Sequence, residues 1–451
     1  MKTRPSRASR RQFLKLAAAV SAPYFTPARV WSNAPSDRLS HAAIGTDGMG
    51  WADLTSLASH PRIEIVALCD VDLARTEKAR QQFPQARVYQ DWRELLEKEG
   101  DRIDSVNVSV PDHMHAPISM AAMARGKHVY CQKPLTHEVA EARAMRLARE
   151  KAQVVTQMGN QIQSESVYRT AVKMVRDGLI GKVKELHAWT SAKYTQGPRP
   201  AGEDPVPATL NWDGWVGVAP MRPFKAGVYH SFNWRCWQDF GTGSIGDFGC
   251  HILDSPFKAL DLKTPRTIRA EVPQEWADNE ARRRESWPDW EIIHYEFEPT
   301  EFTTGETLPV TWYDSGKQPP REAFGEEYAD ASKALPGSGA LFIGEEGRLL
   351  LPHIGEPQLL QGSRRAGEPF QRVESIPHYH GFVDACLGNG TTGSNFDYAG
   401  PLTEATLLGS IAVRVPGQTL AWDAANLRFK NSEEAQQMVA RKYREGWREI
   451  A

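Results

Sequence analysis

Asp247 and His251 stand four residues apart, behind a glycine-rich approach formed by Gly241, Gly243 and Gly246. On a helix that spacing puts both side chains on one face, one turn apart. A carboxylate beside an imidazole orients the ring and raises its pKa toward neutrality, as general acid–base chemistry on a hydroxyl requires. Taken alone, the spacing fits an ordinary Asp–His pair on a helix surface better. A second constellation lies nearer the start. Gly45-Thr46-Asp47-Gly48-Met49-Gly50 follows a short apolar run, His41 to Ile44, and Asp70 closes a second run, Glu64 to Cys69, 20 residues after Gly50. Strand, glycine turn, helix, strand and acid in this order form a dinucleotide fingerprint. The glycines let the backbone approach a pyrophosphate, the helix N-terminus offers it free N–H groups, and Asp70 would accept hydrogen bonds from ribose hydroxyls. No arginine stands at 71 or 72 to receive a 2′-phosphate, so NAD(H) is expected over NADP(H). Asp47 occupies the place of the middle glycine. Its carboxylate would repel a pyrophosphate unless it points away, leaving Gly48 to make the close approach. An ordinary strand-to-helix turn is the alternative reading.

These groups need a scaffold, and the sequence supplies a parallel pattern. Ser105–Val110 reads as a strand, followed by the loop Pro111-Asp112-His113-Met114-His115 and a helix from Ala116 to Arg125. Gly126–Cys131 is the next strand, ending in Gln132-Lys133-Pro134. A helix from His137 to Lys151 and a strand from Gln153 to Met158 lead to Gly159-Asn160-Gln161. Open parallel sheets bind ligands at the carboxyl ends of their strands, where Asp70, His115, Lys133 and Asn160 all fall. Later runs are β-branched and aromatic with alternation: Val183–Trp189, Ile292–Phe297, Val310–Tyr313 and Ala340–Ile343. Glu345-Glu346-Gly347 marks a hairpin, and helices are expected at 381–387, 403–413 and 432–447.

Five of the 14 tryptophans (Trp189, Trp212, Trp215, Trp234 and Trp237) fall between 189 and 239, interleaved with Tyr194, Tyr229, His230, Asn233, Arg235 and Asp239. Aromatic faces among polar groups suit a carbohydrate, while the same residues would also fill a core or an interface. His230 and Arg235 are the better substrate candidates, with Trp237 beside them and most tryptophans structural. The five cysteines form no C-x-x-C pair and read as core thiols. Asp112, His113 and His115, and separately His378 and His380, cluster without a full zinc ligand set, so no metal is expected.

Four motifs together resemble the glucose–fructose oxidoreductase, inositol dehydrogenase and MocA (Gfo/Idh/MocA) family. They are Pro111-x-x-x-His115, the run Gly126 to Pro134 resembling G-K-H-V-x-x-E-K-P, Gly243 to His251, and Asn395 to Glu404. The last looks like a signature of exported members. The resemblance implies an α/β chain with a Rossmann domain at 38–160. A substrate and oligomerisation domain at 161–451 would carry a large, mostly antiparallel open sheet, its last helices packing back on the first domain. It implies NAD held by Gly45, Thr46, Gly48, Met49, Gly50, Asp70, Pro111, His115, Gln132 and Asn160. His251 would be the acid/base, Asp247 would orient a sugar, and Lys133 would hydrogen-bond the reacting hydroxyl. Gln132 departs from the family's glutamate, which removes one charge from beside Lys133. A homo-oligomer through the sheet is expected.

The formal charge of the 451 residues is -2, yet residues 1–34 hold seven basic residues and no acidic one, leaving 47 basic against 56 acidic in the remainder. Ser9-Arg10-Arg11-Gln12-Phe13-Leu14-Lys15 resembles a twin-arginine export signal, and the apolar run after it falls short of the ~20 residues of a membrane span. The expected body is acidic, exported to the periplasm or beyond, and without a nucleic-acid partner. An exported dehydrogenase has little free NAD to exchange, so the cofactor is expected to be tightly held. The leading reading is an NAD(H)-dependent oxidoreductase acting on a sugar, polyol or glycoside hydroxyl. An NAD-dependent glycosidase using transient oxidation at C3, and an inactive carbohydrate-binding member, are the alternatives.

Overall fold

Short apolar strands separated by amphipathic segments give a parallel sheet first. In the computed structural model, which describes residues 37–330, 332–367 and 369–447, β1 (Leu39–Ile44), β2 (Ile63–Cys69), β3 (Arg87–Tyr89), β4 (Ser105–Val108), β5 (His128–Cys131) and β6 (Thr156–Met158) form one sheet in the order 3-2-1-4-5-6. Every neighbouring pair is parallel. The strands are covered by α1 (Met49–Ala58), α2 (Glu77–Gln82), α3 (Trp92–Glu99), α4 (His115–Ala124) and α5 (Val139–Ala152). β4 and nearly all of β5 are buried, as expected of a sheet covered on both faces. The order reverses between β1 and β4, which opens a crevice at their carboxyl ends. The export-signal segment at 1–34 lies outside the described residues.

After α6 (Ser166–Arg176) the chain enters β7 (Val183–Trp189), then α7 (Gly243–Ile252) and α8 (Asp254–Leu260). The remaining strands are β8 (Pro265–Glu271), β9 (Ile292–Phe297), β10 (Leu308–Tyr313), β11 (Gly339–Gly344), β12 (Arg348–Pro352), β13 (Gln358–Leu359), β14 (Leu420–Asp423) and β15 (Arg428–Phe429). With β7 they make a nine-stranded sheet in the order 13-12-11-7-10-9-8-14-15. Only the β7–β10 pair among these is parallel. The hairpin at 345–347 joins β11 to β12. The expected mostly antiparallel second sheet is therefore present.

Two late helices return to the first sheet. α9 (His378–Cys386) packs on α1, with Phe382 and Val383 in the same apolar cluster as Leu54 and Leu57. α10 (Phe396–Arg414) lies between α5, α7 and β8, and buried Glu404 binds Arg143 at 2.9 Å. One apolar core runs from Val106 and Val129 through Leu408 to Leu186 and Ile293, so the two sheets share it. The helix expected at 432–447 is a correction: only Glu433–Gln436 is helical. Tertiary anchors outweigh local propensity there. Arg441 is spent on Glu138 and on the Asp239 carbonyl, Arg444 binds the Gly217 carbonyl, and Trp447 is buried.

Candidate active site

A cleft of about 470 Å³ opens at the crevice of the first sheet, a volume typical of a small-molecule site. Its first end is the glycine turn. Gly45 has φ 87°, and a Cβ there would meet the Ser109 carbonyl oxygen at 2.1 Å, so only glycine lets the loops after β1 and β4 close together. Gly48, at φ 57°, caps α1. Asp47, the departure from the fingerprint, accepts the Gly48 N–H at 2.8 Å and pairs with Arg75 at 3.0 Å. Its charge is thereby matched beside the turn. Asp70 ends β2 on the cleft wall and is fixed by the Thr46 N–H at 3.1 Å. Turn, helix N-terminus and acid fit a dinucleotide.

The second end gathers residues from three distant segments. Lys133 follows β5 and donates to Asp247 Oδ1 at 2.7 Å and to the Asp247 carbonyl at 3.0 Å. Tyr194 donates to Asp247 Oδ2 at 2.8 Å, and Arg235 Nε lies 3.5 Å from Oδ1. Burial alone would raise the Asp247 pKa, but Lys133, Arg235 and Tyr194 together hold it well below the usual carboxylate range. Arg235 also stacks over Trp234 at 4.2 Å and over Phe232 at 4.6 Å, and all three line the cleft.

His251 shares α7 with Asp247 and lines the cleft, as the spacing required. The electrostatic expectation is corrected. Asp247 is committed to Lys133 and Tyr194, and the His251 Nδ1 has no protein partner. Burial first, then Lys133 and His353, push the imidazole pKa well down, with Asp247 opposing too weakly to raise it.

Gln132 joins the two ends. Its Nε2 donates to both oxygens of Asp53, at 3.0 and 2.9 Å, and its Oε1 accepts the Lys133 N–H at 3.3 Å. Asp53 lies on α1 and also accepts from Ser109 at 2.7 Å and Tyr379 at 3.0 Å. Burial, against those donors, lifts its pKa to about 6. The negative charge absent at 132 is therefore present one hydrogen bond away.

Two family models match the chain: an oxidoreductase family NAD-binding Rossmann fold over residues 39–160 and the same family's C-terminal alpha/beta domain over 167–298. The chain belongs to the Gfo/Idh/MocA oxidoreductase family. Its first domain is an NAD-binding Rossmann domain. The chain is similar to dTDP-3,4-didehydro-2,6-dideoxy-alpha-D-glucose 3-reductase of Streptomyces antibioticus, with 30% identity over 42% of this chain and 56% of the relative. It is similar to levoglucosan dehydrogenase of Pseudarthrobacter phenanthrenivorans, with 23% identity over 48% and 50%. The chain thus spans about half the length of these curated relatives. Among solved structures, the WlbA dehydrogenase of Chromobacterium violaceum in complex with NADH and UDP-GlcNAcA shares the fold. Its TM-score is 0.61 at 14% identity, covering 87% of this chain and 98% of that one.

Not every family-derived position faces the cleft. Gly45, Gly48, Met49, Gly50, Asp70, Pro111, Gln132, Lys133, His230, Arg235 and His251 line it. Asp247 reaches it through Lys133 and Arg235. Thr46 is buried behind the turn and holds Asp70. His115 is corrected from cofactor contact to clamp: its ring nitrogens lie 2.7 Å from the Pro134 carbonyl and 2.8 Å from that of Val110. Burial lowers its pKa to about 4. Asn160 is likewise buried, donating to Asp254 at 2.6 Å, and its neighbour Gln161 lines the cleft instead. Trp237 is core: its indole N–H reaches the Val228 carbonyl at 2.8 Å, within the aromatic cluster of Trp212, Trp215 and Phe240. His230, a substrate candidate in the sequence, lines the cleft with a ring nitrogen 3.1 Å from Asp72 Oδ2, beside Asp70. Asp112, Arg75 and Phe232 line the cleft although the sequence reading did not select them. Asp112 follows Pro111 at a strand's carboxyl end and was accessible by the rule that selected Lys133. Tyr379, 326 residues from Asp53, carried no sequence signal.

Proposed function

We propose that the protein is an NAD(H)-dependent oxidoreductase that acts on a hydroxyl of a sugar, polyol or glycoside, with the nicotinamide tightly held. The observation that carries this is that the dinucleotide turn, Lys133 and His251 line one cleft, with Asp247 directly behind Lys133. The turn at 45–50 and Asp70 would hold the dinucleotide, which supplies a hydride acceptor or donor when bound. Asp247, kept anionic, fixes the Lys133 ammonium, and that ammonium is placed to hydrogen-bond a substrate hydroxyl. His251, kept neutral, is competent to accept the hydroxyl proton, and the nearby Asp247 charge partly offsets the cost of forming an imidazolium. Arg235 and the aromatic lip of Trp234 and Phe232 would receive the rest of a polyhydroxylated ligand. The relatives named above act on sugars by name, which agrees with this reading. The twin-arginine-like motif supports export, and the open second sheet supports a homo-oligomer.

The test is mass analysis of the nucleotide released from purified protein, followed by a sugar, polyol and aryl-glycoside screen read by nicotinamide absorbance. Bound NAD(H) and turnover of at least one hydroxylated sugar are expected. Protein that binds no nicotinamide, or reduces none with any sugar, refutes the proposal.

A further inference from the structure

Asp112 is a buried acid on the cleft wall that the mechanism above leaves unused. It sits in the 3-10 turn Asp112–Met114 after β4 and is 2% exposed. Its Oδ2 is held by the Thr242 hydroxyl at 2.7 Å and the Thr242 N–H at 3.2 Å. Its Oδ1 is buried and has no hydrogen-bond partner. No ion pair to it is present among the described residues, although it lines the same cleft as Lys133, Arg235 and His251. A buried carboxyl oxygen without a donor is costly, and on the wall of a cleft such an oxygen is placed to take a donor from a ligand.

We infer that Asp112 is a substrate-positioning residue, whose Oδ1 accepts a hydrogen bond from a hydroxyl of the bound sugar other than the one oxidised. A sugar hydroxyl is favoured over the cofactor by what surrounds the carboxyl. The charged groups around it are Asp247 of α7, Arg235 of the 233–236 turn and Lys133 after β5, all from the second end of the cleft, with the Cys131 thiol behind it. Thr242, which orients it, directly precedes α7. Burial, then Asp247, lift its pKa to about 7, against Thr242, Arg235 and Lys133. The acceptor is thus half-formed at neutrality, and sugar binding should draw it to the carboxylate. By linkage, sugar affinity rises with pH through that region. The inference rests on the oxidoreductase reading.

The experiment uses the full chain with NADH and measures Kd for D-glucose, D-galactose and myo-inositol between pH 6 and 8. NADH affinity is measured separately by fluorescence. In the wild type, at least one sugar should bind several-fold more tightly at pH 8. Asp112→Asn should lose that pH dependence and bind the sugar about tenfold more weakly at pH 8, the order expected for a hydrogen bond to a charged group. Its NADH affinity should be unchanged. Equal sugar affinity and an equal pH profile in both proteins overturn the assignment, and so does a selective loss of NADH affinity, which would move Asp112 to the cofactor. Wild-type protein that binds NADH but none of the three sugars overturns the sugar assignment together with the substrate reading. Absence of NADH binding would sink the parent proposal and with it the positioning role, whereas unchanged sugar affinity in Asp112→Asn with NADH bound would sink the inference and leave the parent proposal standing. Asp112→Glu, which keeps the charge, should retain a pH dependence and separates loss of the acceptor from misfolding.

Discussion

The two ends of the cleft are built on different principles. At the glycine-turn end the acids are already partnered, Asp47 with Arg75 and Asp70 with Thr46 from within one unit of the chain, and Asp72 with His230 from the long excursion. At the other end Lys133, Asp247, Arg235 and Tyr194 converge from separate segments, and His251 Nδ1 and Asp112 Oδ1 are left without protein partners. The first end is complete without substrate. The second leaves unmet hydrogen bonds of the kind a hydroxylated ligand can fill.

The largest effect should come from breaking the charge pair at the second end. Lys133→Met leaves Asp247 buried with Arg235 as its remaining cation. It should lower kcat/KM by about 10²–10⁴, the range for losing a positioned proton-handling group. It should also destabilise the fold by about 3–5 kcal/mol, as breaking a buried pair does. A variant that loses stability but keeps kcat/KM would make Lys133 a structural cation only.

The unmet carboxyl predicts a pH signature. An Asp112 pKa of about 7 in the fold lies above its unfolded value near 3.8, so the folded state binds more protons between those limits. Stability is then present at low pH and lost as pH rises toward 7. Asp112→Asn should abolish that slope and gain on the order of 4 kcal/mol relative to wild type at pH 8, with little gain at pH 4. Thermal melts across this range check it, and parallel curves for both proteins would contradict it.

The joint between the ends offers a charge-swap test. Gln132→Glu would set a second carboxylate within hydrogen-bond reach of Asp53. Above pH 6 it should cost about 2–3 kcal/mol, since two carboxyls at that distance cannot both ionise. Asp53→Asn in the same protein should restore stability and activity. Failure of the double variant to recover would show that Asp53 is needed as an acid, whatever stands at 132.

At the first end the effects should be smaller. Arg75→Ala exposes the Asp47 charge beside the turn and should weaken NADH binding about tenfold, or ~1.4 kcal/mol. Asp47→Gly added to it should recover most of that loss. If Arg75→Ala leaves the NADH Kd unchanged, the Asp47–Arg75 pair has no part in holding the dinucleotide.

This contrast also explains what was legible in the sequence. Turn, helix, strand and Asp70 occupy one continuous unit, so their spacing is their geometry. Lys133 and His251 were found because strand ends and helix periods place them. The place of His230 beside Asp72 was not legible, because it depends on a long excursion folded by Trp212, Trp215, Trp237 and Phe240, and no local period encodes where such a cluster docks. In the fold, Asn211 N–H binds the Val71 carbonyl at 2.8 Å and Gln90 reaches the Thr209 carbonyl at 2.8 Å, which draws the excursion over β2 and His230 onto Asp72. Tail residues Arg441 and Arg444 were misread for the same reason: their partners lie more than 200 residues away.

The smallest effect expected is at the rim. Phe232 is 58% exposed and lines the cleft. Arg235 lies over its ring at 4.6 Å and Tyr194 is tilted against it at 6.3 Å, so the ring is held in place at the mouth beside the two groups that bind Asp247. Stacking of this kind is worth about 0.5–1.5 kcal/mol. Phe232→Ala should therefore raise KM for the sugar by about three- to tenfold with kcat nearly unchanged, whereas Phe232→Trp should hold or lower KM. If kcat falls while KM does not move, the ring acts by positioning Arg235, and the rim belongs to the catalytic cluster instead of to ligand capture.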